Sequence, residues 1–303
     1  MDATSVGLLA VRAFVVVTMA SFGLQIAGSQ LAAVLGRPRL VLAALVANLV
    51  VVPLVGVVLA IVLGLPDAVA IGLIVTACAA GSSYSAKLVE LAGGDIRVGV
   101  GLMFLLATVT AVVLGPLAAV MLGLLGSATG GRVSLDPVPI LVTLVLFQLL
   151  PLLGLMEFQR RAPALAQRLR TPAMRASTAL LVVACVAVVL DSADEVAALG
   201  PLPLAAMVAL IGAGLLVGHA VGGTRLPDQR ATALITGQRS ASVAYIAVQG
   251  VGMPIATATV VAFALVMLVV NLGISLVARR LHLATRAGAL PDPVPSTLDQ
   301  AAG

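Results

Sequence analysis

Residues able to do chemistry are scarce in this chain, and they gather at two places. The first is TACAAGSSYSAKLVELAGG, where Ser82, Ser83, Tyr84, Ser85, Lys87 and Glu90 interrupt an apolar run. The second is ATALITGQRSASVAYIAVQG, which holds Gln238, Arg239, Ser240 and Ser242. Hydroxyls and amides beside a guanidinium suit recognition of an anion, because the planar arginine fork matches a carboxylate with two parallel hydrogen bonds. The same hydroxyls can instead bond to their own helix backbone. No nucleophile–base pair, metal-ligand spacing or phosphate loop accompanies them, so the pattern speaks for binding and against an enzyme. Cys78 and Cys185 each lie inside an apolar run, which fits neither a disulfide scaffold nor a zinc site.

The elements that must position these residues are membrane helices. Of 303 residues, 61% are hydrophobic and 10% charged, with a mean hydropathy of +1.20. A soluble domain needs about 25% charged residues to wet its surface. A net charge of +5 would suit nucleic acid, but the charges lie in short loops between apolar runs and form no solvated basic face, so a nucleic-acid partner is excluded. At about 20 apolar residues per span, nine spans are expected, at 6–27, 40–64, 68–92, 97–125, 137–156, 172–190, 201–221, 229–250 and 254–278. The start, MDATSVGLLAVRAFVVV, has no basic n-region, so the first run is expected to remain as a span.

Loops after the odd-numbered spans, with the C-terminal end, carry nearly all the arginines, from Arg37 and Arg39 to Arg279, Arg280 and Arg286; the other side has only Arg132. That bias places the N-terminus outside and the C-terminus in the cytoplasm. Sixteen arginines against the single Lys87 suit a GC-rich bacterial genome, hence a bacterial cytoplasmic (inner) membrane. The tail from 287, AGALPDPVPSTLDQAAG, is Pro-rich and polar and is expected to be disordered.

Spans one to four can be laid over six to nine, with the fifth as connector. Four spans plus one connector give the second copy the opposite orientation, an inverted repeat in which each copy carries one interrupted helix. A helix broken in mid-membrane exposes N–H and C=O groups that hydrocarbon cannot satisfy, so protein, water or ligand must supply partners. Paired breaks in two halves mark a binding site; the bland alternative is that Gly and Ser merely allow close packing.

On these residues the chain resembles the bile acid:sodium symporter superfamily. FGLQI, followed by LGRPRLVLAALVANLVVVPLVGVVLAIVLGLPDAVAIGLIVTACAAGSSYSAKLVELAGGDI, is similar to that family's first half, and GQRSA at 237–241 to its second-half crossing motif. The resemblance implies a single transmembrane transporter unit over 1–286. Its core domain would be built around 68–125 and 229–278, and its panel domain from 6–64 and 137–221. It also implies two broken helices that cross in the core, an elevator or rocking movement, and organic anions as substrates. Bile acids, pantoate, short keto acids and sulfonated compounds all fall within it. Carried across residue by residue, the family's first Ser-Asn sodium pair falls on Ser85 and Ala86, two further hydroxyl positions on Gly99 and Met103, and the sodium-binding glutamate on Leu234 or Ile235. Only Asn48, five residues before Pro53, and Gln238 keep a suitable oxygen. Sodium coupling is therefore not expected, and no other metal or cofactor is.

Arg239 stands where the family commonly has a substrate-facing Asn. A mid-membrane arginine costs roughly 2.5–3.5 kcal/mol on insertion scales, so it must face a cavity or a partner. Three roles are open: binding the substrate's anionic group, substituting for the missing sodium charge, or forming a fixed ion pair with Glu90. Lys87 can snorkel to the headgroups; desolvated and paired with Glu90, it can instead act as a proton switch. The substrate site is read as Arg239, Ser240, Gln238, Ser83, Ser85, Tyr84 and Asn48, and the coupling pair as Lys87 and Glu90. The expected function is secondary transport of a small organic anion by alternating access, without the family's usual sodium. The partners are that anion and the lipid bilayer, with a homodimer as the oligomer to test. Rival readings are a passive uniporter, a sodium symporter with rearranged sites, a membrane-embedded enzyme and a scaffold that keeps only the fold.

Overall fold

The computed structural model describes residues 3–24, 34–82, 84–129, 137–191, 193–249 and 252–288, and every regular element among them is helical. In chain order these are α1 (Ala3–Gly23), α2 (Pro38–Val62), α3 (Asp67–Cys78), α4 (Ser85–Leu91), α5 (Ile96–Thr129) and α6 (137–161). There follow α7 (Pro163–Asp191), α8 (Ala193–Ala198), α9 (Pro201–Val221), α10 (Leu226–Gly237), α11 (Ala241–Gln249) and α12 (Pro254–Gly288). Among the described residues five stretches are long and apolar enough to cross a membrane: Pro38–Val62, Ile96–Thr129, Leu141–Arg161, Pro201–Val221 and Pro254–Arg280. The chain is an all-α, multi-pass integral membrane protein. Ser83 and residues 289–303 of the tail lie outside the described residues, and so do the side chains of Arg12 and Cys185.

Proline starts helices here and also deforms them. α2, α9, α10 and α12 each carry one in the first turn (Pro38, Pro201, Pro227, Pro254), where the missing N–H would have had no partner anyway. Pro53 and Pro151 sit inside α2 and α6 instead. There the ring meets the carbonyl four residues back, and the preceding turn widens into a π-helix, at Ala47–Val51 and at Val145–Leu149. Each widened turn holds one buried amide, Asn48 or Gln148.

The helices pack as two groups. α1 lies chiefly against α7 and α6, and a hydrogen bond of 2.6 Å between Thr18 and Ser177 ties α1 to α7. α3 packs on α12, α2, α5 and α11, while α10 packs on α9, α5 and α4. α2 and α9 thus sit with the helices around 79–84 and 238–240, and not with α1. Small residues allow the closest of these contacts. A Cβ on Gly214 of α9 would stand 2.9 Å from the Thr236 carbonyl oxygen of α10. Both apolar clusters that fill the interior border residues 79–84: one runs through α3, α5, α11 and α12, the other through α4, α5 and α10.

Candidate functional site

Two helix ends and two helix starts meet in the middle of the second group. α3 stops at Cys78 and α4 begins at Ser85. The chain turns between them at Gly81, whose φ of +80° suits glycine and few other residues. Gly81 also lies flat on α5, where a Cβ would come within 2.6 Å of the Ala107 Cα. α10 stops at Gly237 and α11 begins at Ala241, with Gln238 extended at φ −96°, ψ 118°. The Ser240 N–H donates to the Ala79 carbonyl at 2.7 Å. The two interruptions are therefore real breaks in helices, and they touch.

Arg239 fills the junction and is only 1% exposed. Its Nη2 donates to the Asn48 side-chain oxygen at 3.0 Å and to the Thr236 carbonyl at 2.5 Å. Its Nη1 donates to the Ala77 carbonyl at 3.2 Å and, at the long limit of 3.5 Å, to the Asn48 carbonyl. Ala77 and Thr236 belong to the last turns of α3 and α10, whose carbonyls have no partner further along the helix. Two negative helix-dipole ends converge there, so a cation is favoured. All the acceptors are neutral. Glu90 is not among them: it is exposed on α4 while Arg239 is buried.

Neighbouring side chains complete the frame. Asn48 is itself held by two donations from its Nδ2, to the Ala44 carbonyl at 2.8 Å and to the Thr236 hydroxyl at 3.1 Å. One face of α12 serves the second break. The Met267 sulfur accepts the Arg239 backbone N–H at 3.1 Å, and Asn271, one turn on, donates to the Gln238 side-chain oxygen at 2.8 Å and to the Gly237 carbonyl at 3.4 Å.

Of the residues singled out in the sequence, Asn48, Gln238, Arg239 and Ser240 come together here, all buried. The Ser85 hydroxyl is spent on the Ser82 carbonyl at 2.5 Å, the backbone bond that competes with ligand binding. Tyr84 is half-buried and packs against the apolar cluster of α4, α5 and α10. Ser83 lies outside the described residues. Lys87 and Glu90 are both exposed, and the ion pairs seen among the described residues (Arg37–Asp228, Arg225–Asp228, Arg160–Glu157 and Arg161–Glu157) include neither. Three residues were passed over: Met267, Asn271 and Gln148. Gln148 reaches from α6 to the Ala107 carbonyl of α5 at 2.9 Å, with its own Oε1 buried and without a partner among the described residues. The signal was available for two of them, since an amide within an apolar span is a functional candidate by default.

Comparison with curated proteins finds no match to the chain. The model of the sodium bile acid symporter family matches residues 13–199, from within α1 to just past α8, and so takes in the first break but not the second. With more than half of its 303 residues matched to that model, the chain belongs to the sodium bile acid symporter family.

Proposed function

We propose that this transporter of the bile acid symporter type moves a small organic anion by alternating access, with no obligatory sodium. One observation carries the reading: a guanidinium sits between two touching helix breaks, held by neutral oxygens alone. A positive charge with no counter-charge among the described residues sets up an attractive potential for an anion, strengthened by the low dielectric around it. The nine-span, inverted-repeat layout belongs to this proposal, with α1 to α5 as one repeat, α6 as connector and α7 to α12 as the other. So does the membrane placement, in a bacterial cytoplasmic membrane with the N-terminus outside. Packing supports α1, α6 and α7 as the panel and the remaining helices as the moving core, which assigns α2 and α9 to the core. The anion would then be met where α6 faces α5, next to the breaks.

The same observation favours a second reading, a passive uniporter. A cation that belongs to the chain cannot be carried across and released, so it cannot spend an ion gradient. Uptake of taurocholate, pantoate and pyruvate into proteoliposomes separates the two. Accumulation above the outside concentration under a pH step, equal in sodium and in choline, marks a coupled carrier; equilibration without accumulation marks a uniporter. Uptake that requires sodium would overturn both.

A further inference from the structure

The family's name implies sodium, so the residues present must be tested against that ion. A hard monovalent cation asks for several oxygen ligands in one shell. By the family resemblance the supplying positions fall on Ala86, Gly99, Met103 and either Leu234 or Ile235, which have no side-chain oxygen, and on Ser85, whose hydroxyl already serves the Ser82 carbonyl. The oxygens that do converge are the Asn48 amide oxygen and the Ala77, Thr236 and Asn48 carbonyls, and each already accepts a hydrogen from Arg239. The residues do not fit a sodium ion, because the shell is taken.

We infer that the Arg239 guanidinium is a tethered cation: a permanent occupant of an oxygen shell formed by the C-terminal ends of α3 and α10 with Asn48, and not the group that grips the substrate. The donor count decides between these roles. A guanidinium has five N–H hydrogens, and its two terminal nitrogens make four hydrogen bonds to protein oxygens. Bidentate capture of a carboxylate needs at least one terminal hydrogen even when Nε–H supplies the other. It would therefore strip at least one of those buried oxygens of its partner, and a buried acceptor left unpaired is costly. The helix geometry agrees, since partial negative charge gathers where α3 and α10 end. The cation closes the crossing electrostatically in every turn of the cycle, and the anion feels its field without touching its fork.

This deepens the transport reading for the same site, and it is tested without any transport assay. The full chain is purified in detergent, and its melting temperature is followed as sodium replaces choline at constant ionic strength. The wild type is expected to stay within about 1 °C over the series. Arg239→Ala is expected to melt lower in choline, and to recover part of the loss with saturating dependence on sodium or on millimolar methylguanidinium. Arg239→Lys keeps the charge and is expected to remain indifferent to sodium. A saturable rise of the wild type with sodium would overturn the inference. So would an Arg239→Ala protein that melts like the wild type, or one that is destabilised yet blind to both small cations. Where Arg239→Ala yields no folded protein, Arg239→Gln takes its place under the same criteria, and the wild-type series decides by itself in either direction. A cation-blind wild type that moves no anion would remove the carrier reading and leave this one standing.

Discussion

The two helix breaks solve one problem by different means. Both leave the last carbonyls of a short helix without partners inside a membrane. Residues 79–84 contribute no charge: Gly81 takes up a left-handed turn against the α5 backbone, and the Ser82 carbonyl accepts the Ser85 hydroxyl just beyond the turn. Residues 238–240 have no left-handed residue and are held by side chains, from Arg239 to Asn48 and from Met267 and Asn271 on α12. The second break also serves the first, since Arg239 reaches the Ala77 carbonyl and Ser240 the Ala79 carbonyl. One cation is enough for two helix ends when the ends converge. The first break is thus made by shape and the second by chemistry, and each should fail in its own way.

The largest effect is expected at Gly81. Gly81→Ala forces a side chain into a left-handed conformation, which costs roughly 1–2 kcal/mol, and drives its Cβ onto the Ala107 backbone, which cannot step aside as a flexible side chain would. Overpacking of that kind adds about 1–3 kcal/mol. The variant should run as aggregate on size exclusion or melt well below the wild type. A monodisperse protein with an unchanged melting temperature would mean that the first break is not held by shape.

Next comes Asn48→Leu, which keeps most of the volume and removes the amide oxygen that Arg239 uses and the amide hydrogens that reach Ala44 and Thr236. Hydrogen bonds to a charged group are worth about 1.5–3 kcal/mol, so a loss in that range is expected in thermal or denaturant unfolding. If Gly81→Ala proved mild and Asn48→Leu severe, the chemistry of the second break would be holding both.

How far these breaks could be read in the sequence follows from what each is made of. Small and polar residues from Gly81 to Lys87 and from Thr236 to Ser242 stand out in apolar runs, so both interruptions were visible. A mid-membrane Arg239 was visibly in need of partners. What those partners are was not, because backbone carbonyls carry no residue signature, and an ion pair with a carboxylate looked like the obvious alternative. The Lys87–Glu90 spacing does put two charges one turn apart, yet spacing on a helix does not say which way the shared face looks, and here it looks outward. Asn271 and Gln148 are legible as amides in apolar spans, but they lie in uninterrupted runs, where nothing in the sequence shows which neighbour they reach. The resemblance puts 40–64 and 201–221 in the panel with the first span; the contacts of α2 and α9 run to the broken helices, which supports the core assignment proposed above.

Asn271→Leu sharpens the comparison from the side of α12. It takes away the donor to Gln238 and Gly237 but leaves the guanidinium shell whole. Interhelical hydrogen bonds in membranes average about 0.6 kcal/mol and reach about 1.7, so a loss within that span is expected in denaturant unfolding. A larger one would show that the second break depends on its α12 frame as much as on its cation.

The smallest effect is expected where the starts of α2 and α10 are tied together. Arg37, just before α2, pairs with Asp228 in the first turn of α10 at 2.9 Å, and Arg225 stands 3.9 Å from the same carboxylate oxygen. Beside them the Asp95 N–H donates to the Pro227 carbonyl, so this corner also joins the loop after α4 to the start of α10. The Arg37 side chain is 38% exposed, and ion pairs open to solvent are worth about 0–1 kcal/mol. The Asp228 carboxylate, however, is largely buried. Arg37→Ala should therefore cost little while Arg225 can move in as a substitute, and Arg225→Ala should cost less still. The double variant should cost more than the two together, because it leaves a buried carboxylate with neither partner, and added salt should narrow the single-variant losses but not that excess. Additive losses in a double-mutant cycle would mean that the two arginines do not share Asp228, and that the corner is held by its backbone bond alone.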